Sequence, residues 1–175
     1  MNIFDKLKGH SIVEANNLHG LRSGHMLAQE AFDPTGYTAK ENELDNGVIL
    51  ALGTNGKLKA AGADETQYFL HYSEEHIKFL DSASLDMFTV YFDEKNVAYP
   101  RAIALYEGDT FTTNNCAPAG VLDTLEYGKV YAVTVAGGIL TIGAEATAAT
   151  VGPLATLSSL PAGQTAVQIM WKGGL

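Results

Sequence analysis

Cysteine is almost missing from this chain: 175 residues contain one, Cys116. A lone thiol closes no intramolecular disulfide and builds no thiolate metal cage. Its setting, TTNNCAPAG, offers neither the base nor the cation that activates a thiol, so Cys116 is expected to be a small apolar residue in or near a loop. Positive charge is scarce too. Eleven Lys and Arg stand against twenty Asp and Glu, a formal net charge of −9. Residues 1–100 hold fifteen acids and eight bases, net −7; the remainder holds five and three, net −2. With no basic stripe to neutralise phosphates, nucleic acid is excluded as an expected partner. An acidic surface is likewise repelled by anionic membranes. No apolar run reaches the roughly 18 residues of a membrane span, and MNIFDKLKGHSIVEANN has no signal-peptide apolar region. The expectation is a protein made and kept in a reducing cytoplasm, unless it leaves as part of an assembly.

Reactive constellations are equally sparse. No GxSxG, HExxH, CxxC or EF-hand loop occurs. His71 and His76 are five apart in HYSEEH, a spacing that separates them around a helix and sends them to opposite faces of a strand. They are expected to be solvated near a strand end, with no zinc between them. His10, His19 and His25 have no carboxylate or serine at motif spacing, and Gly20 and Gly24 open no phosphate loop. Asp81, Asp86, Asp93 and Glu94 are scattered acids, expected on solvated faces, although folding can pair distant carboxylates. Tyr68, Phe69, Tyr72, Phe88, Tyr91 and Phe92 are expected in the core; a stacking platform for sugar is the competing reading. The pattern implies no enzyme and no cofactor.

What the chain does have is turns and strands. GVILALGTNGKLKAAG from Gly47 and GKVYAVTVAGGILTIG from Gly128 each read as strand, tight turn, strand. Gly47 aligns with Gly128, Ala51 with Ala132, Gly56 with Gly137 and Gly62 with Gly143, all at one offset. Duplication and coincidence both remain open as its source, since the chain is rich in Gly and Ala. Further strands are expected at residues 67–72, 85–92, 101–106, 110–113 and 166–171, punctuated by turns at Asp33-Pro34-Thr35-Gly36 and Glu107-Gly108-Asp109. No regular helix of ten residues is expected. The fold class read from this spacing is all-β with minor helix, a sandwich or barrel-like domain over residues 32–175. Residues 1–31 differ, being polar and glycine-punctuated after a short apolar spacing at Ile3, Phe4 and Leu7. They are expected to form an extended N-terminal arm or a frayed leader.

Two stretches, YPRAIALYEGDTFTTNN at 99–115 and the ending ATVGPLATLSSLPAGQTAVQIMW, resemble the decoration or cement proteins of tailed-bacteriophage heads. The first glycine-framed hairpin looks like the start of the β-domain of that family. The resemblance spans about Asn46 to Trp171 and rests on turns and strand edges, so it carries over no catalytic residue. It implies a non-enzymatic virion structural protein on the outer capsid surface, made in the host cytoplasm. Its partner would be the major capsid protein, with neighbouring copies of itself possible. Ile3, Phe4 and Leu7 would then be candidate capsid anchors. A glycan- or receptor-binding β module is the alternative.

Overall fold

The computed structural model describes residues 11, 13–20, 26–27, 30–37, 43–73, 89–91, 99–160 and 163–172. Short runs of β-branched, aromatic and leucine residues form strands there, and glycines at positive φ end them. In chain order these are β1 (Val13–Asn17), β2 (Met26–Leu27), β3 (Phe32–Asp33), β4 (Glu43–Asp45) and β5 (Ile49–Leu52). Then come β6 (Leu58–Ala60), β7 (Phe69–His71), β8 (Thr89–Tyr91), β9 (Ala102–Ala104) and β10 (Thr110–Thr113). The last are β11 (Cys116–Ala117), β12 (Val130–Ala136), β13 (Ile139–Glu145), β14 (Leu154–Leu160) and β15 (Gln164–Met170), with a 3-10 turn at Val121–Thr124. Among the described residues, no helix is long and apolar enough to cross a membrane.

The protein is nearly all β, in a sandwich-like arrangement. One sheet has the order β1-β10-β15-β14-β12-β13-β11, a second β2-β9-β7-β5-β6-β3, and β4 with β8 makes a separate ribbon. Alternation explains how the two large sheets share a core. Ile49, Leu70 and Ile103 of the six-stranded sheet pack with Phe111, Val133, Val135, Leu140, Val167 and Ile169 of the seven-stranded one. The opposite face of the six-stranded sheet is covered as well: Leu50, Phe69, Ala102 and Ala104 pack with Phe32, Leu44 and Leu58. Burial on both faces is why Val48, Ile49, Leu50 and Ala51 read as a continuous apolar run. The seven-stranded sheet leaves Thr134, Ala136, Gln168 and Met170 exposed on its outer side, so its strands alternate.

Both glycine-framed hairpins form, one in each sheet. Gly137 and Gly138, at φ of 57° and 79°, supply the two positive angles of a type I′ turn between β12 and β13. The turn then docks on the other hairpin. Ile49 N–H donates to Gly138 O at 2.8 Å and Gly138 N–H donates to Ala61 O at 2.9 Å. A side chain at 138 would meet Val48 Cγ1 at 2.7 Å and Ile49 O at 3.0 Å, so the close approach demands glycine. Asn115 spans the same junction, its Nδ2 donating to Gly47 O at 2.9 Å.

The ending differs from the sequence expectation. One closing strand at 166–171 was expected; β14 and β15 instead pair from Leu154↔Met170 to Leu160↔Gln164. The small hydroxylated residues of LATLSSL mute the apolar alternation of β14, and pairing on both sides supplies what propensity does not. Parts of the 1–31 stretch also enter the sheets. Val13–Asn17 pairs with β10, Met26–Leu27 pairs with β9, and Val13 and Leu18 are buried in the main core.

Candidate functional site

The anchor candidates Ile3, Phe4 and Leu7 lie outside the described residues, as do His10, His25, His76, Asp81, Asp86, Asp93 and Glu94. Among the described residues, no group of three His, Cys, Asp or Glu side chains gathers to hold a metal ion. Phe69 is buried, while Tyr68 and Tyr72 are partly buried against the main core. Tyr68 meets Trp171 edge to face, at 5.2 Å between centroids and 60° between planes. Since Trp171 is buried, the pair offers no flat platform.

His71 corrects the expectation of a solvated ring: it is fully buried. The flanking Glu74 and Glu75 suggested solvent, but β7 is an inner strand, paired with β5 and β9. Its Nδ1 is 2.7 Å from Asp45 O, and a carbonyl only accepts, so Nδ1 carries the proton. Its Nε2 must therefore accept, and the Ser73 hydroxyl at 2.8 Å donates to it. Arg101 N–H donates in turn to Ser73 Oγ at 2.9 Å. The Asn46 side chain completes the knot, accepting from Ser73 N–H at 2.8 Å and donating to Ser73 O at 3.2 Å. Burial pushes the His71 pKa down to about 4, against smaller opposing pulls from the carbonyl and charge of Asp45. The ring is a neutral fastener for three chain passes.

His19 has a carboxylate that motif spacing could not show. Its Nδ1–H donates to Asp109 Oδ1 at 2.7 Å, and its backbone N–H donates to the same oxygen at 2.8 Å. Asp109 is fully buried, and its Oδ2 accepts from Tyr106 N–H at 2.9 Å. The carboxylate thus closes the β9–β10 turn and pins the chain just after β1 to it. Cys116 sits in β11, and burial pushes its thiol up to about 12, far from a reactive thiolate.

Among the described residues lies a mostly apolar groove of about 530 Å³. Ala63–Tyr68 forms one wall; Val133–Val135, Val151–Pro153 and Trp171–Lys172 form the others. The Trp171 indole N–H is buried and has no hydrogen-bond partner among the described residues. Neither His19 nor Asp109 lines this groove.

No family model matches the chain, no curated protein resembles it, and no solved structure matches its fold.

Proposed function

We propose that this protein is a non-enzymatic virion structural protein that binds the outer surface of a tailed-phage capsid and reinforces its lattice. One observation carries the reading: the buried His71 and Asp109 side chains hold chain passes together. Both His71 ring nitrogens are hydrogen-bonded in the core, Asp109 accepts from one ring and two backbone donors, and the Cys116 thiol is pushed up by burial. Such a body suits a staple, which needs a fixed shape more than a reactive group. The resemblance of residues 99–115 and of the ending to head decoration proteins supports the same assignment. Attachment that favours only the assembled lattice stabilises it by mass action, and many copies multiply a weak contact.

The test uses heads assembled from a tailed-phage major capsid protein. Purified protein is expected to co-sediment with expanded heads and to raise the temperature at which they release their contents. Indifference to heads together with co-assembly into tails would refute the reading. A glycan-binding role is less well supported, because the Tyr68–Trp171 pair is edge to face and Trp171 is buried.

A further inference from the structure

Among the described residues, the groove lies where no strand separates the end of β12 from the chain after β15. β14 sits between β12 and β15 and begins at Leu154, opposite Ala132 on one side and Met170 on the other. Both neighbours run on past that point. β12 continues through Val133, Thr134, Val135 and Ala136, and the chain after β15 continues through Trp171 and Lys172. Two strands that flank a third are about 10 Å apart, so where β14 ends its neighbours stand about one strand's width apart. The lining agrees. Val133, Thr134 and Val135 all border the groove although their side chains alternate between faces, which marks the edge of β12 and not one of its faces.

Among the described residues, each wall presents some backbone groups with no partner. Val133 N–H donates to Pro153 O at 3.0 Å, toward β14. A period of two turns the N–H and C=O of Val135 the same way, and among the described residues neither group has a partner there. On the other wall Trp171 turns away, its N–H bonded to Asp109 O and its C=O to Gly108 N–H. Lys172, the next residue, therefore faces the gap.

The geometry points to a slot that accepts one extended segment of a different polypeptide, laid between Val133–Ala136 and Trp171–Lys172. Its backbone would pair with Val135 and Lys172. Val133, Val135, Tyr68, Pro153 and Trp171 select apolar side chains. Charge selects the rest. Glu65 at the rim is taken by Lys59 at 2.7 Å, whereas Lys172 has no ion pair among the described residues, so the segment carries a carboxylate next to Lys172. A second copy is disfavoured as occupant because each chain carries a net −9. The slot does not depend on the capsid reading; any partner with such a strand would fit.

The test is nitrogen-15 NMR of the full chain with a blocked heptapeptide of alternating valine and threonine ending in aspartate. Saturable shifts are expected at the Val135 and Lys172 amides and the Trp171 indole. Methylating the peptide amides along one edge should weaken binding at least about tenfold, since each lost hydrogen bond is worth about that factor. Lys172→Glu should disfavour the aspartate probe and favour a lysine-ended one. Four results would overturn the proposal: no shifts at millimolar probe of either charge, equal binding of the methylated peptide, a Val135 amide already protected from exchange without peptide, or self-association that moves the same resonances.

Discussion

Lowering the pH should unlock the His71 knot before it disturbs most of the core. The ring is neutral and fully buried, with a pKa pushed down to about 4, against an unfolded value near 6.5. Between those values the unfolded chain binds the proton and the folded chain refuses it. Stability is therefore full above about pH 6.5 and falls as the pH drops toward 4. The linkage gives a loss of about 2 kcal/mol by pH 5 and about 3 kcal/mol by pH 3. That is a large share of the 5–15 kcal/mol typical of a domain. The assay is urea unfolding of the wild type and His71→Asn from pH 8 to pH 5. Asn lacks the Nε2 acceptor, so the variant should be weaker at pH 8 by about 1–3 kcal/mol. Its pH slope should be shallower by about 2 kcal/mol over the interval, because carboxylate titration is common to both proteins. Parallel curves would refute the reasoning, as would an NMR titration of the His71 ring with a midpoint near 6.5.

Further tests separate close approach, fastening and reactivity. Gly138→Ala should cost roughly 2–5 kcal/mol, combining a left-handed backbone with overlap onto Val48 and Ile49. Gly36→Ala, at a similar φ of +82° in open space, should cost about 1–2 kcal/mol, and equal losses in thermal denaturation would dismiss the docked-turn account. Asp109→Ala removes three accepted hydrogen bonds and should destabilise by roughly 3 kcal/mol. Hydrogen exchange should then accelerate first at Val13–Asn17, and unchanged protection there would separate Asp109 from that anchor. Cys116 should react with a disulfide reagent at pH 8 far more slowly than in urea-unfolded protein; comparable rates would contradict its burial.

The fold class was legible because turns and alternation are local. Gly47, Gly56, Gly128 and Gly137 punctuate the sequence at one spacing, and all four adopt positive φ. What the spacing could not show is that Gly138 docks one hairpin on the other, a contact set by sheet packing. β14 was missed because LATLSSL has little apolar alternation and becomes a strand by pairing on both sides. β1 escaped for a related reason: VEANN is a polar strand with Val13 buried and its neighbours more exposed. The fasteners were invisible because their partners are remote. His19 and Asp109 are ninety residues apart, and the burial of His71 depends on Asp45, Asn46, Ser73 and Arg101 converging. The groove has no sequence signal at all, since it arises where two strands outrun the one between them.

The proposed role, seating on a capsid lattice, has a direct test. A quantitative mass-spectrometric inventory of purified virions addresses it most directly. The account predicts the protein in fixed proportion to the major capsid protein, lost together with head stability when its gene is deleted. Its absence from the particle, or a copy number that follows the tail proteins, would contradict the account.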